Sequence, residues 1–321
     1  MMPFAIKNFP SQFAFEPTIW QARRSANYDR FFYVGMGGSH LAADLALRWN
    51  PNLPLTITSD YGLPEQVKQA KRPLIIAGSY SGNTEETIDG YREARKRKLS
   101  VAVIASGGKL IEMAKKDGVP FSLLPNTGIQ PRMALGFGLR AVLKLLNDKR
   151  GLEESAKLAK SLKPDQYKTT GETLARALRN RVPVIYASAR NAAIAYNWKI
   201  KFNETGKAPA FYNLLPELNH NEMNGFDVKR PTKKICAPFH FIFLTDTQDH
   251  PRVVKRMDIL ARLYRDRGLC VEEMPLRGKQ PFERMFGSLL TADWAAVALG
   301  DGYGLETEQV PMVEEFKRLM A

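Results

Sequence analysis

A chain of 321 residues predicts two domains of roughly 150 residues each. Its apolar fraction of 44% suits a globular protein with a substantial core, and no window approaches the ~18 consecutive apolar residues of a membrane span, so a soluble protein is expected. The net charge of +14 points to an anion, either a polymer or a small substrate drawn in by the field, but there is no Cys/His finger or RNP-type aromatic motif to favour nucleic acid.

Residues 1–28 are aromatic-rich, and Phe13, Phe15 and Trp20 are expected to pack as a lead-in helix or arm. The first residues, Met1–Lys7, lack the apolar stretch and cleavage site of a secretory leader. Two cysteines without metal-type spacing, Cys236 and Cys270, fit buried free thiols in a reducing cytoplasm.

Phe31–Val34 reads as a first strand running into Gly35-Met36-Gly37-Gly38-Ser39-His40, with a helix over Leu41–Trp49. The turn is not GxGxxG, and no acidic residue follows at the distance a ribose requires, so a phosphate or sugar site suits it better than a dinucleotide. Leu55–Thr58 is a strand and Pro64–Ala70 a short helix. Leu74–Ala77 is a buried-type strand that opens into Gly78-Ser79-Tyr80-Ser81-Gly82-Asn83-Thr84. Thr84 is placed to cap a helix over Thr84–Arg97, with Glu85 and Glu86 in the first turn. Strand, small polar turn and helix N-terminus are the parts of an anion site, to which Ser79, Ser81 and Thr84 could each donate. The same pattern also describes a plain capped turn. The basic run Arg92–Lys98 falls at that helix's C-terminal end, where cations favour the dipole.

Val101–Ile104 and Phe121–Leu124 are further strands around a helix at Lys109–Lys116, and an apolar helix over Met133–Leu146 closes the domain. Repeated strand–helix units without tight hairpins predict a parallel sheet covered on both faces. Arg132 lies at the start of that last helix, where a cation is disfavoured, so it is either a functional contact or a surface arginine.

Residues 147–154 read as a linker or turn, dividing the chain at 150/151. Helices over 152–162 and 170–180, a strand at Pro183–Ser188 and a helix at Asn191–Asn203 repeat the earlier order. Ser188-Ala189-Arg190 stands where Gly37-Gly38-Ser39 stood, so the second copy is expected to have lost its phosphate turn. Phe239–Leu244 and Cys270–Met274 follow as strands, with helices over Val253–Arg265, Phe282–Leu299 and Val310–Met320. Glu204 falls near a helix C-terminus, where a carboxylate is electrostatically unwelcome and a specific task is implied. His220, one of four histidines, lies among Asn219, Asn221 and Glu222 in a stretch of low helix and strand preference, which makes it a candidate acid/base.

Together GMGGS, SYSGNTEET, QPRMALG, Asn203-Glu204 and PELNHNE resemble the bifunctional phosphoglucose/phosphomannose isomerase family. The resemblance spans both halves and implies an α/β fold of two tandem SIS (sugar isomerase) domains, 1–150 and 151–321, each a parallel sheet flanked by helices. It implies that Ser39, Ser79, Ser81 and Thr84 bind the sugar phosphate, with Gly37 and Gly38 permitting its approach. By the same resemblance Glu204 moves a proton between C1 and C2 through a cis-enediolate, and Arg132 stabilises that intermediate. His220 helps to open the ring from the neighbouring subunit of a cytoplasmic homodimer, and Lys317 lies near the ring oxygen. The implied reaction, in glycolysis and gluconeogenesis, converts glucose 6-phosphate, and mannose 6-phosphate as a second substrate, to fructose 6-phosphate.

No cofactor or metal is implied, and no clustered His, Cys and Glu ligands suggest a zinc-type mannose-6-phosphate isomerase. His40 departs from the small residue expected after the GGS turn, where it could crowd a phosphate or donate to it. The competing reading is a non-catalytic SIS protein that senses a sugar phosphate, although the ~30 residues before Phe31 leave little room for a helix-turn-helix module. A glutamine-dependent aminotransferase would need a glutaminase domain with a nucleophilic cysteine, and no such domain is recognisable in the sequence.

Overall fold

The computed structural model describes residues 2–22 and 27–320. Part of the expected lead-in, 23–26, therefore lies outside the described residues. The chain forms two compact units, Asn8–Ser161 and Met1–Lys7 with Leu162–Ala321. The sequence reading divides the chain at 150/151. The contacts divide it eleven residues later, because the helices after that point stay with the first unit.

Helix α1 (Met2–Asn8) opens the chain and passes into a 3-10 turn at Phe9–Ala14. Phe13 is buried and Phe15 stacks edge-on against Phe137 at 5.6 Å, but Trp20 is exposed. Its backbone bridges Phe121 at the sheet edge, and its ring lies outside the lead-in packing expected for it.

The first unit alternates β1 (Arg30–Val34), α2 (Gly38–Trp49), β2 (Leu55–Thr58), β3 (Pro73–Gly78), α3 (Glu85–Lys96), β4 (Ser100–Ala105), α4 (Gly108–Asp117) and β5 (Phe121–Leu123). Helices α5 (Leu135–Leu145), α6 (Lys149–Ala156) and α7 (Leu158–Ser161) follow. All strand pairs are parallel, in the order β2-β1-β3-β4-β5. Every residue of β3 is buried, as expected of a central strand covered on both faces. One core forms where Phe32, Ile75, Val101 and Val103 meet Ile88, Tyr91, Leu110 and Ile111 of α3 and α4. The basic end of α3 is exposed from Arg95 to Lys98, a solvated helix terminus.

The second unit runs α8 (Lys168–Ala177), β6 (Val182–Ser188), α9 (Ala192–Glu204), β7 (Phe211–Leu215), α10 (Glu222–Gly225), α11 (Lys233–Cys236), β8 (Phe239–Thr245), α12 (Pro251–Asp266), β9 (Cys270–Pro275), α13 (Pro281–Gly302) and α14 (Pro311–Met320). Its strands are again all parallel, in the order β7-β6-β8-β9. The first strand of each unit is central, the second lies on one side and the third on the other. This shared order is the duplication that the repeated sequence pattern predicts. Strand β7 has no counterpart in that pattern: it is an edge strand with Phe211 and Tyr212 exposed, held by its ladder to β6.

Helix α13 is buried from Phe282 to Gly300 almost without a break, which explains why its sequence is apolar on all sides. Both cysteines are free; Cys236 is buried as expected, whereas Cys270 is half-buried. Among the described residues no helix is long and apolar enough to cross a membrane.

Candidate active site

In an open parallel sheet a ligand binds beyond the carboxyl ends of the strands, at the point where the strand order reverses. In the first unit that point lies between β1 and β3, so the chain following Val34 and the chain following Gly78 meet there. These are the two small-residue turns singled out from sequence.

The turns are stitched together. Ser39 Oγ accepts the Tyr80 backbone N–H at 2.9 Å, and the Tyr33 hydroxyl donates to the Ser39 carbonyl at 2.8 Å. Burial, with Asp44 close by, pushes the Tyr33 phenol well above its ordinary value, so it remains a donor. Within the second turn Ser79 Oγ lies 2.8 Å from Thr84 Oγ1 and 3.4 Å from Ser81 Oγ. The Gly82 N–H also donates to Ser79 Oγ, at 3.1 Å. Thr84 is at the N-cap of α3 as expected, but its side chain makes no capping bond. Its hydroxyl turns to Ser79 instead, joining the cluster. Ser79 is buried and Ser81 exposed, so the cluster runs from the sheet to the surface beside a helix N-terminus.

Arg132 is not the surface arginine of the alternative reading: it is 1% exposed, in a 3-10 turn at Pro131–Met133 before α5. That turn packs on Gly38, where a Cβ would fall 2.9 Å from the Arg132 nitrogen. Gly38 therefore permits an approach between two backbones, a tighter constraint than room for a ligand. Gln12 holds the segment from beneath, donating to the Met133 carbonyl at 2.7 Å and accepting the Gly136 N–H at 2.9 Å. The sequence carries no local sign of Gln12, because its partners lie more than a hundred residues away. His40 is buried, with Nδ1 2.6 Å from Asp44 Oδ2 one helical turn on.

In the second unit Glu204 is the last residue of α9 and is half-buried. The helix is fixed by Lys201 Nζ donating to Asp293 Oδ1 at 2.5 Å, both side chains buried, and by Trp198 Nε1 donating to Ser288 Oγ at 2.9 Å. Lys207 Nζ donates to the Glu204 carbonyl at 2.7 Å, which meets the helix end with a positive charge. His220 closes a 3-10 turn, Glu217–His220, and is exposed, while Leu218 two residues earlier is fully buried. A cleft of about 590 Å³ opens beside this turn, lined by Asn221, Glu222, Phe226 and Ile235 among others. Lys317 lies on α14, every residue of which is exposed, and donates to Glu314 Oε1 at 2.8 Å.

Among the described residues, the reversal point of the second unit, between β6 and β8, is occupied by Ser188, Asn191, Asp246 and Asp249. Ser188 Oγ donates to Asp249 Oδ1 at 2.8 Å, and Asn191 Nδ2 lies 3.2 Å from the same oxygen. Asp249 and its neighbour Asp246 are both buried. The loss of a phosphate turn expected here is accompanied by carboxylates that the sequence reading overlooked.

The fold and the turns define an α/β protein of two parallel sheets with a candidate anion site beyond the first. Residues 167–320 match the bacterial phospho-glucose isomerase C-terminal SIS domain. The chain is 34% identical over 317 residues to the bifunctional phosphoglucose/phosphomannose isomerase of Aquifex aeolicus, covering 97% of this chain and 96% of that one. It is 33% identical over 316 residues to the enzyme of the same name from Caldicellulosiruptor bescii, covering 93% and 91%. Among solved structures it is similar to a hypothetical protein of Thermus thermophilus, with a TM-score of 0.67 at 17% identity, covering 98% of this chain and 85% of that one. The chain belongs to the bifunctional phosphoglucose/phosphomannose isomerase family.

Proposed function

We propose that the protein is an aldose–ketose isomerase that interconverts glucose 6-phosphate, and mannose 6-phosphate, with fructose 6-phosphate through a cis-enediolate. The observation that carries this reading is the cluster of Ser79, Ser81 and Thr84 hydroxyls at the reversal point, in a chain whose relatives are named for those sugars. The hydroxyls of that turn and of Ser39, with Gly37 and Gly38 in the adjoining turn, bind the phosphate. Glu204 takes the proton from C2 and returns it to C1. Arg132, a buried guanidinium, offsets the charge that develops on the enediolate oxygen. His220 moves the ring-opening proton and Lys317 acts at the ring oxygen. The route needs no metal, because the carboxylate, guanidinium and imidazole supply the base, the electrostatic stabilisation and the proton transfer.

The active form is a cytoplasmic homodimer in which His220 serves the neighbour. Its exposure in one chain supports this, and so does the exposed apolar stripe of α14, formed by Met312, Phe316 and Leu319. The test is the interconversion of the hexose 6-phosphates by purified protein with excess chelator. Turnover supports the reading. Binding of the sugar phosphate without turnover would instead support a sensor, and turnover abolished by chelator would overturn the metal-free route.

A further inference from the structure

Residues 216–225 carry His220 on a short turn between the edge strand β7 and α11, yet the turn is fixed at two points. One is apolar: Leu218 is fully buried against Val184, Phe241 and their neighbours. The other is Glu222, a half-buried carboxylate to which two side chains donate. The Tyr186 hydroxyl donates to Oε1 at 2.5 Å, and Asn213 Nδ2 donates to Oε2. Tyr186 is fully buried on β6, with its ring against Phe241, Phe243 and Tyr264, so the donor cannot swing away. Its burial pushes the phenol far above its ordinary value, and Tyr264 beside it is pushed up to about 12, again by burial. Burial thus favours the protonated, donating form of both hydroxyls. Asn221 completes the turn by accepting the Glu222 N–H at 2.5 Å and donating to Glu217 Oε1 at 3.0 Å.

We propose that Glu222, clamped by Tyr186 and Asn213, is a positioning residue that holds His220 for ring opening and does not itself touch the substrate. The inference rests on the role given to His220 above. Each Glu222 oxygen is tied to a donor on a neighbouring strand, Tyr186 on β6 and Asn213 on β7, which fixes the carboxylate in place. The same bonds suit it to orientation. Misplacing a reacting group by about 1 Å costs on the order of 100-fold, so releasing the clamp should cost roughly 10- to 100-fold in ring opening.

Two substrates separate positioning from general loosening. Glucose 6-phosphate must be opened, whereas a tetrose 4-phosphate, with its O4 esterified, cannot close a five-membered ring and enters open. Tyr186→Phe and Glu222→Gln are each expected to lower kcat on glucose 6-phosphate by roughly 10- to 100-fold with KM little changed, and to leave the tetrose phosphate rate intact. The double variant Glu222→Gln/His220→Ala should be no slower than His220→Ala alone. Equal losses on both substrates would show a merely structural role and overturn the proposal. So would full activity of both clamp variants when His220→Ala is impaired. If His220→Ala itself opens the ring at the wild-type rate, it is the role of His220 that fails.

Discussion

Ser39 Oγ accepts the Tyr80 N–H at 2.9 Å, and this one bond joins the two turns that follow β1 and β3. A hydroxyl that accepts one bond keeps its own proton to donate, so the stitch fixes Ser39 without exhausting it. Ser39→Ala should therefore loosen the turn as well as remove a donor. Ser81 and Thr84 offer a cleaner experiment. Ser81 is exposed and Thr84 caps α3 without a side-chain capping bond, so replacing both with alanine should leave the melting temperature within a few degrees. KM for phosphorylated sugars should rise at least about tenfold, as a hydrogen bond to a charged group is worth roughly 1.5–3 kcal/mol net. An unchanged KM in an active double variant would remove this turn from the phosphate site.

Glu204→Gln keeps the shape of the helix end but removes the proton acceptor. The expected loss is about 10²–10⁴-fold in kcat with KM little changed, accompanied by an equal loss of C2 proton exchange with deuterated water. Anomerisation of glucose 6-phosphate should survive. Wild-type exchange in this variant would move the base to Glu217 or Glu222, the carboxylates flanking His220.

Mixed dimers address His220. Glu204→Gln and His220→Ala proteins, each impaired alone, should regain part of the activity when their subunits exchange, since one site of the hybrid would hold both native residues. Inactivity in dimers shown by mass to be mixed would place both residues in the same chain's site.

The stability of the second unit should depend on pH through His240, on β8. Burial, with the Arg181 guanidinium nearby, lowers its pKa below the ordinary 6.5. Glu272, 3.9 Å away and half-buried, does not reverse the shift. Below about pH 6.5 the unfolded chain takes up a proton that the folded chain refuses. The contribution is thus complete above that pH and lost as pH falls towards the folded value, with a slope of at most ~1.4 kcal/mol per unit. Urea unfolding at pH 7.5 and 5 should show a smaller difference for His240→Leu than for the wild type. Equal differences would exclude the histidine as the source.

What the sequence made legible was local. The strand, the small residues and the helix start lie side by side in Pro73–Thr87, so the strand–turn–helix unit could be read from one window. The repeated βα order likewise exposed the duplication. Strand β7 escaped because an edge strand with polar Asn213 and exposed Phe211 lacks the apolar run of a buried parallel strand. Gln12, Tyr186 and Asp249 escaped for a different reason. Each does its work through a partner from 36 to more than 120 residues away, and no spacing rule connects them. The reading of Thr84 was right about position and wrong about the hydroxyl, since a neighbour across the turn competed for it with the helix N-terminus.

Asp249 carries a consequence for counting. In the first unit the chain after β3 gathers the hydroxyls of Ser79, Ser81 and Thr84; in the second, the chain after β8 supplies carboxylates, Asp246 and Asp249. Ser188 and Asn191 are already satisfied by Asp249, and Arg190 and Arg284 are paired with Asp246 and Asp249, so the donors a phosphate ester needs are taken within the chain. Although the polypeptide carries the same sheet twice, a calorimetric titration with fructose 6-phosphate should saturate at one equivalent per chain, without the second, weaker inflection that two working halves would give.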